Sequence, residues 1–143
     1  IFGDNYLSVE KVGTDYPLTL LGNYEFTEGY YSWSILIEGF KGKYLCMGII
    51  PTLTGAHLNY RSENYSKACC VCTDRYYYNL EIESGFLMIN EGDTIDFVLD
   101  YEKDVFFAKN DQFIFKKEGI KNFKFYPYFG FSKNCYAKLK IIK

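Results

Sequence analysis

The segment 92–110 alternates apolar and acidic side chains on either side of a short turn. Its apolar residues recur at every second position: Ile95, Phe97, Leu99 and Tyr101. Successive side chains of a β-strand point to opposite faces, so these residues share one face, while Asp96 and Asp100 lie on the other. A second apolar run begins after the turn at 102–104. The pattern predicts a half-buried β-hairpin with one face on a core and the other in water.

The rest of the chain has the same character. Aromatic residues make up 20% of the 143 residues, with 15 Tyr and 13 Phe, and such side chains favour pleated sheets over helices. Apolar runs between turn residues predict strands at 6–12, 17–21, 30–38, 43–50, 67–72, 76–82, 86–89, 94–101, 104–109, 112–116, 124–131 and 135–142. We therefore expect an all-β, two-sheet antiparallel β-sandwich, formed by residues 1–143 as a single domain. Because the chain begins with Ile1 rather than Met, we expect this domain to be part of a longer protein.

Charge and hydropathy argue against two classes of partner. The formal net charge is −2, which provides no overall attraction to nucleic acid or to an anionic membrane. The chain has no apolar run of about 18 residues, so no membrane-spanning helix is predicted. The basic run formed by Lys116, Lys117, Lys121 and Lys124 is interpreted as a solvated loop and strand face.

Five cysteines lie at positions 46, 69, 70, 72 and 135. An odd number of cysteines does not form the even framework of a disulfide-stapled secreted domain, so we predict a cytoplasmic, reducing setting. Cys69 and Cys72 have C-x-x-C spacing, but a zinc site needs four ligands, and Cys46, Cys135 and His57 are scattered along the chain. We predict no metal and no cofactor, with the thiols of 68–72 on both faces of a packed sheet. A redox role for this cluster is left open by the sequence.

Four segments, in this order along the chain, resemble the SPRY (B30.2-type) domain family. They are Gly29-Tyr30-Tyr31-Ser32-Trp33-Ser34-Ile35, Leu45-Cys46-Met47-Gly48-Ile49, the hairpin of 92–110 and Phe125-Tyr126-Pro127-Tyr128-Phe129. Together they resemble the family over about residues 22–143. Asp104 stands where the family usually has a turn Gly, and Ala108 where it usually has an aromatic residue. These two departures leave the local strand register open.

The SPRY resemblance implies that loops at one end of a sandwich recognise a short peptide or exposed loop of a partner protein. By position, it implies roles for Tyr16, Pro51, Tyr60, Arg61, Lys133 and Asn134. From the residues alone, the irregular stretch 51–64 and the turn at Arg75 and Tyr76 combine Tyr with Arg, which are common at interaction hot spots. His57 is interpreted as a loop or rim residue. The predicted binding residues are Tyr16, Pro51, His57, Tyr60, Arg61, Arg75, Tyr76, Lys133 and Asn134.

The alternative to a binding function is an enzymatic one. The one histidine, His57, is not accompanied by a nucleophile elbow around any Ser. Glu81 and Glu83 would point the same way from one strand, about 6 to 7 Å apart, as the paired carboxylates of glycosidases do. The acidic triplet of some jelly-roll glycosidases, Glu-x-Asp-x-x-Glu, would need a third acid at residue 86, which is Phe. We interpret the two glutamates as the solvent face of a strand and predict no catalytic residue.

The sequence therefore predicts a monomeric, non-enzymatic protein-interaction module. The SPRY resemblance extends this to the substrate-recognition part of a ubiquitin ligase or to a scaffold, and a carbohydrate-binding or glycosidase-like sandwich remains the alternative. Replacing both Tyr60 and Arg61 by Ala is expected to abolish partner capture with little change in melting temperature. Trp33→Ala is expected to cost roughly 3 to 5 kcal/mol of stability, as loss of a buried aromatic does.

Overall fold

The computed structural model describes residues 6–11, 18–21, 25–51, 68–132 and 134–142. In these ranges the chain forms twelve β-strands, and it forms no helix long and apolar enough to cross a membrane. The strands are β1 (Tyr6–Lys11), β2 (Leu18–Leu21), β3 (Tyr30–Lys41), β4 (Leu45–Pro51), β5 (Cys69–Cys72), β6 (Tyr77–Tyr78), β7 (Glu81–Gly85), β8 (Thr94–Asp100), β9 (Val105–Lys109), β10 (Phe113–Glu118), β11 (Phe125–Phe131) and β12 (Tyr136–Ile142).

The strands form two antiparallel sheets. One has seven strands in the order β1-β12-β3-β8-β9-β10-β7, and the other has five in the order β2-β11-β4-β5-β6. The predicted two-sheet antiparallel β-sandwich is confirmed. Because β1 pairs with β12 and β2 with β11, strands from the two ends of the described chain complete the sheets.

The core lies between the sheets and follows the alternation seen in the sequence. Ile95, Phe97 and Leu99 of β8 are each 0% exposed, as the hairpin pattern predicts. Trp33 is buried, and its ring stacks between the rings of Phe26 and Phe97, with centroid distances of 5.3 Å and 5.5 Å. These contacts join β3 to β8 and to the segment before β3, so the predicted role of Trp33 in the core is confirmed.

Asp100 differs from the predicted solvent face of β8. It is buried, and its Oδ1 accepts hydrogen bonds from the backbone N–H groups of Glu102 and Lys103, at 3.0 and 3.1 Å. A carboxylate that accepts turn N–H groups compensates its own burial, which explains why an acid lies there. Asp104, where the family usually has Gly, takes a left-handed φ of 60°, and Ala108 pairs with both Phe97 and Phe115. The hairpin register is therefore regular despite both departures.

The structure differs from the predicted strands most clearly at three places. The predicted strand 76–82 is split into β6 and β7, which belong to different sheets, because Asn79 adopts a left-handed φ of 58° that extended backbone cannot accommodate. Residues 86–89 form no strand, although Leu87 and Ile89 are buried. The strand predicted at 30–38 is longer in the structure, since β3 continues to Lys41.

Candidate functional site

Three turns meet at one end of the five-stranded sheet. The turn 42–44 leads into β4, the turn 73–76 follows β5, and residues 132 and 134–135 follow β11. Leu45 pairs with Phe131 on one side and Cys46 pairs with Cys72 on the other, so the start of β4 lies between the two outer turns. Neighbouring strands are about 4.8 Å apart, which puts the outer turns about 10 Å from each other. We name these residues, 42–44, 73–76, 132 and 134–135, the turn rim.

Backbone and hydroxyl groups hold the three turns together. The N–H of Thr73 donates to the carbonyl of Leu45, and the N–H of Leu45 donates to Oγ1 of Thr73, both at 3.0 Å. On the other side, the N–H of Ser132 donates to the carbonyl of Tyr44 at 3.1 Å, and the N–H of Tyr44 donates to Oγ of Ser132 at 3.2 Å. Four hydrogen bonds thus join the rim, so its side chains project from a rigid base.

Arg75 and Tyr76 lie in the turn that follows β5. The N–H of Arg75 donates to the carbonyl of Cys72 at 3.2 Å, and the N–H of Cys72 donates to the carbonyl of Tyr76 at 2.9 Å. Arg75 has φ 73°, a left-handed conformation that costs a non-glycine residue roughly 1 kcal/mol or more. Its side chain is exposed, and Tyr76 is 63% exposed. The turn therefore presents the charged guanidinium of Arg75 beside the large ring of Tyr76. Arg is present at position 75 although a glycine there would relieve the backbone strain.

Asn134 completes the rim on the side of β11. It is exposed and has φ 55°, a conformation that Asn tolerates better than most residues. Of the predicted binding residues, the structure thus brings Arg75, Tyr76 and Asn134 to the same end of the sheet. Sequence analysis missed Tyr44, Thr73 and Ser132, whose hydrogen bonds join the three turns. Their only signal in the sequence is that polar residues lie beside the strand ends.

Pro51 lies at the opposite end. It closes β4 and pairs with Phe125, so the length of the β4–β11 ladder, about 20 Å, separates it from the turn rim. A cavity of about 320 Å³ opens there, lined by Pro51, Cys69, Asn79, Lys117, Gly119, Ile120, Phe123 and Phe125. Burial raises the pKa of the Cys69 thiol to about 11, and the nearby Lys117 charge opposes the shift only in part. The thiol is therefore protonated and a poor nucleophile near neutral pH.

Five of the predicted binding residues lie outside the described residues: Tyr16, His57, Tyr60, Arg61 and Lys133. Their roles stay predictions from the sequence.

Three cysteine side chains converge on the face of the five-stranded sheet that points away from the other sheet. The Sγ atoms of Cys46, Cys70 and Cys72 lie within 4.8 Å of one another, and the structure joins Cys46 to Cys72 as a disulfide. The inference that Cys46 lies far from the other cysteines because it is distant from them in sequence is wrong. β4 and β5 pair across a sequence separation of 26 and bring Cys46 opposite Cys72. Cys69 faces the core while Cys70 and Cys72 face outward, which confirms the prediction that thiols lie on both faces.

The two glutamates proposed for catalysis lie on β7, an edge strand whose residues are all exposed. Nζ of Lys116 lies 3.3 Å from Glu83 and 3.5 Å from Glu118. The hydrogen bond that Lys116 donates to Glu83, followed by the charge of Glu118, raises the pKa of Lys116. Glu83 is thus engaged in a surface ion pair. The interpretation of Glu81 and Glu83 as a solvent face is confirmed.

Comparisons with known proteins agree with this architecture. The SPRY domain model matches residues 29–142. The crystal structure of the SPRY domain of human HERC1 is similar with a TM-score of 0.71 and 22% identity, covering 97% of this chain and 88% of that chain. The TRIM65 PSpry domain is similar with a TM-score of 0.60 and 13% identity, covering 88% of this chain and 70% of that chain. No curated protein matches this chain in sequence. With the family model spanning most of the chain, and the four motifs in order within that span, this chain belongs to the SPRY domain family.

Proposed function

We propose that this SPRY domain recognises a short peptide or exposed loop of a partner protein through the turn rim. The SPRY domain is a protein-interaction fold, which supports a binding role for the whole domain. The single observation that carries the assignment to the rim is the exposed pair Arg75 and Tyr76, held on a strained turn with a hydrogen-bonded base.

The chemistry of the rim suits a peptide. Tyr has a large contact area and few rotors to immobilise, while the planar guanidinium of Arg donates to carboxylates and carbonyls in a fixed geometry. Because four hydrogen bonds already hold the turns, little ordering is left to oppose binding. Asn134, also exposed, adds an amide that both donates and accepts hydrogen bonds.

We further propose that the domain acts as a non-catalytic, monomeric recognition module in a cytoplasmic protein, as the substrate-recognition part of a ubiquitin ligase or within a scaffold. The ion-paired, exposed position of Glu83 supports a role without glycosidase chemistry. Tyr60 and Arg61 are proposed to extend the same recognition surface, on the strength of their sequence alone.

The test compares two exposed aromatic positions at opposite ends of the molecule. The purified chain, an Arg75→Asn, Tyr76→Ala variant and a Phe123→Ala variant would each capture proteins from a cell lysate, with identification by mass spectrometry. Asn at position 75 tolerates the left-handed backbone, so the turn is kept while the guanidinium is lost. Phe123 is 52% exposed but lines the cavity at the end that holds Pro51, which makes it a matched control.

We expect proteins that are captured by the wild type and by Phe123→Ala but not by the rim variant. Titration of such a partner in purified form should show affinity reduced roughly 10- to 100-fold in the rim variant, as for hot-spot residues. Loss with Phe123→Ala instead would move recognition to the opposite end. In another outcome, the wild type, the rim variant and Phe123→Ala all capture the same proteins, while a Tyr60→Ala, Arg61→Ala variant loses the partner. That result would assign recognition to the stretch 51–64 and not to the turn rim. Signal on a glycan array that depends on Tyr76, without protein capture, would favour the carbohydrate-binding alternative.

A further inference from the structure

The Cys46–Cys72 crosslink lies at the base of the turn rim. Cys72 is the last residue of β5, directly before the turn that carries Arg75 and Tyr76, and Cys46 is its directly opposed partner on β4. The two Cα atoms are 4.1 Å apart, as in the closely spaced, non-hydrogen-bonded pairs of an antiparallel ladder. The crosslink therefore reinforces the point where Leu45 and Thr73 exchange hydrogen bonds.

The geometry selects this pair among the three thiols. Cys70 lies opposite Gly48, so no thiol faces it across the ladder. Cys70 and Cys72 are two residues apart on one strand, which puts their Cα atoms about 6.6 to 6.8 Å apart, at the upper limit for a disulfide. Burial also raises the pKa of the Cys70 thiol, so this thiol stays protonated while the sheet is closed.

The surroundings favour a disulfide over a metal ion. The cluster shares its face with the buried residues Ile50, Ala68 and Tyr128. A disulfide and two thiols are both neutral, whereas three thiolates around a divalent ion would leave a negative charge in apolar surroundings. Zinc sites also use four ligands, and the described residues bring only three ligating groups together here.

We propose that Cys46 and Cys72 form a reversible redox modification site whose oxidation stiffens the turn rim. This deepens the proposed function by adding its regulation, and its effect on binding rests on that function. The oxidant is a small disulfide such as glutathione disulfide. One cysteine thiolate attacks a glutathione sulfur and releases a glutathione thiolate, and the second cysteine then attacks the mixed disulfide and releases the other. The glutathione S–S bond breaks, the Cys46–Cys72 bond forms, and two electrons and two protons pass to two glutathione molecules.

Access to the pair requires a local opening of the structure. Cys46 and Cys72 are each 1% exposed, so a reagent reaches them only when the structure opens locally. The edge strand β6 has two residues and pairs with β5 only at Cys70 and Val71. Such a short edge is a weak part of the sheet, and we expect thiol–disulfide exchange to be slow because it depends on local opening.

The chemical test counts thiols. The purified chain would be incubated with glutathione disulfide or with dithiothreitol, denatured, alkylated with iodoacetamide and weighed by mass spectrometry. The reduced chain should take up one group on each of its five cysteines, and the oxidised chain two fewer. Peptide mapping should place the crosslink between Cys46 and Cys72, also in a Cys70→Ala variant. Full alkylation after oxidation, a crosslink to Cys70, or zinc retained by the reduced chain in native mass spectrometry would overturn the proposal.

The structural test measures the rim without a partner, so its outcome is independent of the proposed binding role. In hydrogen–deuterium exchange, peptides covering 73–76 should exchange at least 10-fold more slowly in the oxidised chain than in the reduced chain. Oxidation should also raise the melting temperature by roughly 5 to 15 °C. Cys46→Ala should show neither response, whereas Cys70→Ala, a matched change in the same cluster, should keep both. Equal exchange of the rim in both redox states would contradict the stiffening.

Discussion

At the scale of single residues, Tyr101 shows how a polar group is accommodated inside the sandwich. It is 5% exposed, and its hydroxyl lies 3.0 Å from the carbonyl oxygens of both Phe26 and Phe123. One hydroxyl proton thus serves two acceptors from segments that are distant in sequence. Burial, together with the nearby Tyr31 and Glu25, raises the pKa of Tyr101 to about 12.

This raised pKa predicts a loss of stability at high pH. The folded chain holds the phenol proton more tightly than the unfolded chain, whose Tyr pKa is about 10. The corresponding stabilisation is complete below about pH 10 and is lost as the pH rises toward 12. In urea unfolding at pH 7, 10 and 11, we expect Tyr101→Phe to be about 1 kcal/mol less stable at pH 7, and to lose less stability than the wild type above pH 10. Parallel pH profiles for the two proteins would show that Tyr101 does not carry the effect.

At the scale of strands, the contact between β4 and β5 depends on a missing side chain. Gly48 lies opposite Cys70, and a Cβ on Gly48 would overlap the carbonyl oxygen of Cys69 and come 2.8 Å from the Cα of Cys70. Both are backbone atoms, so a rotamer change cannot relieve the overlap. The apolar-Gly-apolar motif at 47–49 thus reflects how closely these strands approach.

Gly48→Ala is therefore expected to destabilise the fold by about 3 kcal/mol or more, since the backbone of β5 must shift. Gly39→Ala is the control and should cost less than about 1 kcal/mol, because the atoms nearest to its Cβ belong to side chains: the Tyr136 ring at 3.3 Å, and Glu91 and Lys138 at 3.9 Å. Chemical denaturation of both variants gives the comparison. Similar costs for the two variants would mean that the close approach of β4 and β5 is easily relaxed.

At the scale of the whole molecule, the sandwich is closed by strands that lie outside the span of the family match. That span is 29–142, whereas β1 covers one edge of the seven-stranded sheet and β2 one edge of the five-stranded sheet. β2 pairs with β11, in which six of seven residues are buried, so loss of β2 would leave β11 as the edge strand. An uncovered, apolar edge of this kind is a template for intermolecular pairing.

Truncation tests the importance of these edges. A chain that begins at residue 25 lacks β1 and β2, so it should aggregate or melt at a lower temperature than the chain of residues 1–143. Removal of residues 1–5 alone retains both strands and serves as the control. Size-exclusion chromatography and thermal melting distinguish the two. A monomeric, equally stable product from the longer truncation would show that β1 and β2 are dispensable.

Local pattern was sufficient to predict the class of fold and most strands. The period of two at 95–101 identified the inward face of β8, and Trp33 was correctly placed in the core. Prediction failed where backbone conformation overrode pattern, as at Asn79, which separates β6 from β7 although the surrounding residues are aromatic. Asp100 was wrongly predicted to be solvent-exposed, because alternation cannot reveal that a turn supplies N–H groups to a buried carboxylate.

The sequence by itself determined that this chain is an all-β sandwich of the SPRY family, because side-chain alternation and motif order are local properties of the chain. Only the tertiary structure decided which candidates act together. It placed Arg75, Tyr76 and Asn134 on one rim, moved Pro51 to the far end, and brought Cys46 to Cys72. The physical reason is that periodicity specifies the face on which a side chain lies, whereas antiparallel pairing between distant segments specifies its neighbours.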